Sequence, residues 1–233
     1  MAKQTLSPPP PKTKTKVHAP VHSISGEGGL AYFNGRIVPM SEANVSIATH
    51  ALNYGTGCFE GIRAYWNAER EQLFVLKLRE HYQRFANSRR MLKMSSGETV
   101  DELCDATVEL LRRQNFRQGT YIRPIAFKSA RAIKPTLSGL EDTVAIFAVP
   151  MGDYIDISAG LHVCVASWRR VSGNAIPVRA KATAGYLNSA LAIEEALAAG
   201  YDEAICLTEA GFVSEGSACN LFMVRNGKLH TPR

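Results

Sequence analysis

Short apolar runs separated by polar, glycine-containing turns dominate this chain, and three stretches carry helical spacing. Residues 30–33 and 36–39 flank Asn34-Gly35, a pair in which both positions tolerate positive φ, so a hairpin is predicted there. Runs 62–66 and 73–76 surround a polar turn at 67–71 and read as two further strands. From 79 to 94, Tyr82, Phe85, Ala86, Met91 and Leu92 recur near the helical period, and from 100 to 111 Leu103, Thr107, Leu110 and Leu111 repeat it. Strands are predicted at 121–127, 144–149 and 161–166. A third helix follows at 186–199, with Leu187, Ala190, Leu191 and Glu194 on successive turns and Gly200 as its stop. Short strands at 204–207, 212–213 and 221–224 close the pattern. Helices and strands mix without clean βαβ alternation, so the expected class is α+β, not a doubly wound parallel sheet.

Pro150 and Gly152 interrupt the pattern between two such groups. The expected organisation is a Pro/Lys/Thr-rich tail at 1–23 without order of its own, a small N-terminal domain at 24–150, a linker at 151–157 and part of a larger domain at 158–233. The tail has neither the apolar core of a secretory signal nor the arginines of a transit peptide.

Composition narrows the function. Hydrophobic residues make up 45% and charged residues 21% of the chain, an ordinary globular balance, and the longest apolar runs fall far short of a membrane span. Net charge is +6, but Lys3, Lys12, Lys14 and Lys16 precede the first acidic residue, Glu27, leaving about +2 for the rest. Without aromatics interleaved among these lysines, no nucleic-acid platform is expected. Five widely spaced cysteines, none in a Cys-x-x-Cys pair, read as reduced thiols of a cytoplasmic protein. The six histidines form no metal-ligand spacing, and no nucleophile elbow or P-loop occurs, so no metal site is expected.

Two residues carry candidate chemistry. Lys181 lies in Arg179-Ala-Lys-Ala-Thr-Ala-Gly-Tyr186, where small neighbours leave room for a flat ring. A Schiff-base lysine must be unprotonated part of the time, which burial or nearby positive charge provides; the same spacing also fits an exposed pre-helical lysine. Glu215 sits between two apolar strand segments, beside Gly216. A carboxylate there needs a cationic or hydrogen-bonding partner if it is buried, and a protonated pyridine nitrogen is one such partner; a solvated strand-end glutamate fits equally.

Five strings in order resemble the branched-chain amino-acid aminotransferases, the class IV, fold-type IV group of pyridoxal-phosphate enzymes. They are Thr49-His-Ala-Leu-Asn-Tyr-Gly-Thr-Gly-Cys-Phe-Glu-Gly-Ile-Arg-Ala-Tyr65, Leu78-Arg-Glu-His-Tyr-Gln-Arg-Phe-Ala-Asn-Ser88, Tyr121-Ile-Arg-Pro124, Arg179-Ala-Lys-Ala-Thr-Ala-Gly-Tyr-Leu-Asn-Ser189 and Ser214-Glu-Gly-Ser-Ala-Cys-Asn-Leu-Phe222. The resemblance implies that Lys181 carries pyridoxal 5'-phosphate as a Schiff base and then acts as proton-transfer base and acid. It further implies that Glu215 pairs with the ring nitrogen, Tyr186 with the ring hydroxyl, and Arg84 with the phosphate. Phe59, Gly61, Arg63 and Tyr154 would lie near the side-chain pocket or its entrance, while Tyr54, Tyr121 and Arg123 would place the substrate, Arg123 as a clamp for the distal carboxylate of glutamate. Met151 stands where some bacterial members have tryptophan.

The implied reaction is transamination of leucine, isoleucine and valine with 2-oxoglutarate, in a homodimer or larger homo-oligomer. Within the same fold, a D-amino-acid aminotransferase or an aminodeoxychorismate lyase is the alternative; from another class, an inactive fragment acting only in assembly. Family members continue past the position of Arg233 with segments that complete the phosphate cup. The expectation is therefore weak cofactor binding by this chain alone and an apolar face left exposed on the larger domain.

Overall fold

The computed structural model describes residues 29–95, 97–152 and 160–232. The predicted tail and residues 153–157 of the predicted linker, Tyr154 among them, lie outside these. The elements, in chain order, are β1 (Leu30–Phe33), β2 (Arg36–Pro39), α1 (His50–Tyr54), β3 (Gly57–Phe59), β4 (Ile62–Asn67), β5 (Gln72–Val75), α2 (Leu78–Met91), α3 (Val100–Gln114), β6 (Thr120–Lys128) and β7 (Asp142–Pro150). They continue with β8 (Val163–Val165), α4 (Tyr186–Ala198), β9 (Glu203–Leu207), β10 (Val213–Gly216), β11 (Met223–Arg225) and β12 (Lys228–His230).

The first seven strands form one antiparallel sheet in the order β2-β1-β7-β6-β4-β5, with β3 also paired to β6. Asn34 and Gly35 take φ of 51° and 81°, the left-handed values that a tight hairpin between β1 and β2 demands. Strands β3 and β4 run along the same edge of β6 but break at Glu60-Gly61, opposite Pro124. The Pro124 carbonyl accepts from the Glu60 N–H at 2.9 Å, but proline has no N–H to return, so continuous pairing stops there.

Helices α2 and α3 cover one face of this sheet. Tyr82, Phe85, Leu103 and Leu110 pack with Ile62, Ala64, Ile122, Val144 and Ile146 in the main core. Thr99 and Glu102 cap α3 reciprocally, satisfying two N-terminal donors. Because strand side chains alternate, burying Ile62 and Ile122 against the helices turns Arg63, Tyr121 and Arg123 to the opposite face. At the far end of β6, the buried Lys128 ammonium lies 3.2 Å from Asp142 and donates to the Lys93 carbonyl at 2.6 Å, tying the α2–α3 connection to the sheet.

The second sheet has the order β10-β9-β8, with β8 and β9 parallel across the α4 crossover and β9 and β10 antiparallel. One βαβ unit therefore sits inside the α+β arrangement. Helix α4 buries a different stripe from the predicted one: Ser189, Ala192 and Ala196 face Ala166, Ala204 and Cys206, while Leu187 is 68% exposed. Small side chains win the inner face because they let the helix backbone approach the sheet closely. Val163, Val165, Phe212, Phe222 and Val224 are exposed on this part of the chain. The hairpin β11–β12 turns at Asn226-Gly227, with φ of 52° and 70°.

Candidate active site

The short stretch before α4 lies along the outer edge of β3. The Phe59 N–H donates to the Lys181 carbonyl at 3.0 Å, Cys58 and Ala182 form a bridge, and the Lys181 N–H donates to Ser88 Oγ at 3.2 Å. Thr183 Oγ1 donates to the Gly55 carbonyl at 2.8 Å. Three hydrogen bonds and a bridge thus hold the stretch around position 181 against the glycine-rich segment and α2. Cys58 beneath it is fully buried, and burial pushes its thiol up to about 12, so it stays protonated and inert.

From this anchored backbone the Lys181 side chain reaches Tyr186, donating from Nζ to the phenolic oxygen at 2.7 Å. The single 3₁₀ turn Thr183–Gly185 brings the two side chains to the same side. The Tyr186 ring packs against Phe59 at a centroid separation of 4.6 Å, and Lys181 Nζ lies 5.2 Å from the Phe59 ring centre. On the Phe59 ring sits Arg123, its guanidinium carbon 4.2 Å from the centroid, and Arg123 donates from Nη2 to the Tyr121 hydroxyl at 2.7 Å. A Cβ on Gly61 would come within 2.6 Å of that hydroxyl, so only glycine leaves room for it. Lys181, Tyr186, Phe59, Arg123, Tyr121 and Gly61 are therefore one connected group.

Arg84, on the second turn of α2, is engaged with Glu60. Its Nε and Nη2 each donate to the Glu60 carboxylate at 2.6 Å. Glu60 is fully buried and lies 2.9 Å from His81 Nδ1 as well. Burial alone would raise the Glu60 carboxyl, but the hydrogen bonds from Arg84 and His81 outweigh it and hold the group below the ordinary glutamate value. Hydrogen bonding to Glu60 raises Arg84 above its ordinary value, and Tyr186 lies near enough to act on it electrostatically. Among the described residues only one edge of the guanidinium is engaged, and the side chain stays about half exposed.

Glu215 on β10 pairs with Arg170, whose Nε lies 2.7 Å from Oε1. Arg170 Nη1 also donates to Ser189 Oγ at 3.1 Å and Asn188 Oδ1 at 3.3 Å, on the opening turn of α4. The remaining predicted residues sit elsewhere. Tyr54 packs on His50 at 4.7 Å between centroids, and Arg63 Nη2 donates to the Met151 and Gly152 carbonyls at 3.1 and 3.0 Å. Among the described residues, no hydrogen bond or ring contact joins either to Lys181. Tyr154 lies outside the described residues.

Sequence reading passed over Glu60, His81 and Arg170. A glutamate inside the apolar run Gly57-Cys-Phe-Glu-Gly-Ile was the available signal for the first, since such a residue needs charged partners. Arg170 carries no such signal. Its partner is 45 positions away and reaches it only through the β9–β10 pairing.

A primary amine capped by a phenol, a guanidinium with an open edge and a partly exposed carboxylate held by arginine are each groups that a flat, phosphorylated aldehyde can use. The sequence model of the family described as "Amino-transferase class IV" matches residues 57–233. The chain is 47% identical over 203 residues to the "Probable branched-chain-amino-acid aminotransferase" of Aquifex aeolicus (strain VF5), covering 87% of this chain and 65% of that protein. It is 38% identical to the branched-chain-amino-acid aminotransferase of Escherichia coli (strain K12), covering 86% and 65%. Among solved structures, the branched-chain aminotransferase of the thermophilic archaea Thermoproteus uzoniensis with norvaline superposes with a TM-score of 0.84 at 46% identity, over 88% of this chain and 68% of that one. That of Thermobaculum terrenum in its PLP-form superposes with a TM-score of 0.83 at 35% identity, over 89% and 67%. The chain belongs to the class IV aminotransferase family. It spans about 65% of the length of the two curated relatives named above.

Proposed function

We propose that this chain carries the pyridoxal-phosphate-dependent transamination of leucine, isoleucine and valine with 2-oxoglutarate. The observation that carries the reading is the Lys181–Tyr186 hydrogen bond of 2.7 Å, set against the Phe59 ring beneath Arg123. The names of the similar proteins support the substrate class.

Pyridoxal 5'-phosphate, when bound, supplies an aldehyde and a cationic ring that serves as an electron sink. Lys181 Nζ is the amine for that aldehyde and afterwards the base that takes the proton from the substrate α-carbon. Tyr186 holds Nζ in one direction, so little reorganisation is needed as the proton moves. Glu215, oriented by Arg170, keeps a ring nitrogen protonated, and Arg84 takes the phosphate. Phe59 offers an apolar wall to a branched side chain, and Arg123 above it offers a charged fork to the distal carboxylate of glutamate. Two substrates of different polarity can thus use one site, at some cost in discrimination.

The small domain, linker and larger domain retain the bounds 24–150, 151–157 and 158–233 in this reading. A homo-oligomer completes the site, and five unpaired cysteines fit a reducing compartment such as the cytoplasm. No helix among the described residues is long and apolar enough to cross a membrane.

Incubating the chain with saturating pyridoxal 5'-phosphate, which offsets weak cofactor binding, together with L-leucine and 2-oxoglutarate, followed by product analysis, tests the reading. Glutamate and the branched keto acid are the expected products. Turnover of D-alanine in place of L-leucine contradicts it.

A further inference from the structure

We propose that Glu60 is a positioning residue for a phosphate monoester dianion: it fixes the Arg84 guanidinium side-on, so that the opposite edge of the fork is presented to the ligand in one orientation. The inference rests on the assignment of Arg84 to the cofactor phosphate made above and adds the group that aims it.

Glu60 is fully buried, where an ionised carboxylate persists only with close partners, and it has them: Arg84 Nε and Nη2 at 2.6 Å each and His81 Nδ1 at 2.9 Å. Its backbone is fixed as well, by the 2.9 Å bond from its N–H to the Pro124 carbonyl at the break between β3 and β4. The Nε/Nη2 pair forms one side of the planar guanidinium. Binding that side leaves the end formed by Nη1 and the second Nη2 hydrogen for another two-point acceptor, which phosphate oxygens match in spacing. The side chain is about half exposed. An arginine on an exposed helix turn would otherwise sample many rotamers, and a partner on a rigid strand break removes that freedom before binding. Phe59 and Gly61, the neighbours of Glu60, belong to the Lys181 group, so the phosphate donor and the amine are tied to the same short segment.

The proposal makes a prediction about direction, not charge. Borohydride capture at Lys181, quantified by peptide mass spectrometry at sub-saturating aldehyde, is compared for pyridoxal 5'-phosphate and for pyridoxal, which lacks the phosphate. The ratio of the two is the phosphate preference. Glu60→Gln should lower this ratio about tenfold, the size of one lost charged hydrogen bond, while pyridoxal capture stays within about twofold of the parent chain. Arg84→Lys keeps the charge but cannot be held at two points and should lower the ratio about as much.

An equal fall in capture of both aldehydes by Glu60→Gln overturns the proposal, because the role is then merely structural. So does full phosphate preference in Arg84→Lys, which shows that charge without a fixed fork is enough. Arg84→Met separates the proposal from the reading beneath it. If Arg84→Met lowers the ratio and Glu60→Gln does not, the Arg84 assignment stands and the role of Glu60 falls. If Arg84→Met leaves the ratio unchanged, or neither aldehyde is captured at Lys181, the assignment fails and the proposal with it.

Discussion

The Nζ of Lys181 and the hydroxyl of Tyr186, five positions apart in the chain, lie 2.7 Å from one another. Their separation by a single 3₁₀ turn sets this distance, since a continued α-helix would place the two side chains on different faces. Tyr186→Phe removes the oxygen and keeps the ring on Phe59. The expected outcome is an unchanged fold by circular dichroism and a single-turnover rate for L-leucine about ten- to a hundredfold lower, the scale of a lost oriented proton-transfer contact.

Gly61→Ala tests the close approach to Tyr121. A methyl there meets the Tyr121 hydroxyl at 2.6 Å and must displace it, and with it the hydroxyl that receives Arg123. KM for 2-oxoglutarate should rise about tenfold, a loss of about 1.4 kcal/mol, with a smaller change for L-leucine, whose side chain needs no guanidinium. Equal changes for both substrates would show that Gly61 shapes a shared wall instead.

Arg170→Gln releases Glu215 from its ion pair. Both side chains are partly exposed, so the cost in global stability should be under about 1 kcal/mol by thermal unfolding. The rate of α-proton exchange from deuterated L-leucine should fall by more than substrate affinity does. Glu215→Gln, which removes the charge itself, should fall further, because each pKa unit lost at the partner nitrogen is worth about 1.4 kcal/mol.

Acid unfolding reports on Glu60. Its carboxyl is held below the ordinary value of 4.5, so the folded state binds that proton less readily than the unfolded chain. The resulting stabilisation is fully present above pH 4.5 and is lost as pH falls through the lower folded-state value. Thermal midpoints of the parent chain and of Glu60→Gln should therefore differ most above pH 4.5 and converge as pH falls below it, as measured by a pH series of melts.

Much of this architecture was legible because local chemistry and tertiary context agree. Asn34-Gly35 predicted its hairpin, and the spacing of Leu103, Thr107, Leu110 and Leu111 predicted α3 with its buried face. The identical signal at Asn226-Gly227 was available for β11–β12, and β12 was missed. Strand β3 was hidden because Gly57 weakens strand propensity, and only pairing with β6 makes the segment extended. The inner stripe of α4 was misread because hydrophobicity points to Leu187, whereas close packing selects alanines. Lys181 and Glu215 stood out by their neighbours, and Arg84 only through resemblance. Glu60 and Arg170 became visible once β3, α2 and the second sheet brought distant charges together.

The most direct test of the account is to map the residue that borohydride fixes to pyridoxal 5'-phosphate at saturating aldehyde. Digestion and mass spectrometry should recover one phosphopyridoxyl peptide containing Lys181, and Lys181→Ala should abolish it. Label spread over other lysines, or undiminished in Lys181→Ala, would contradict the assignment of this amine and the function built on it.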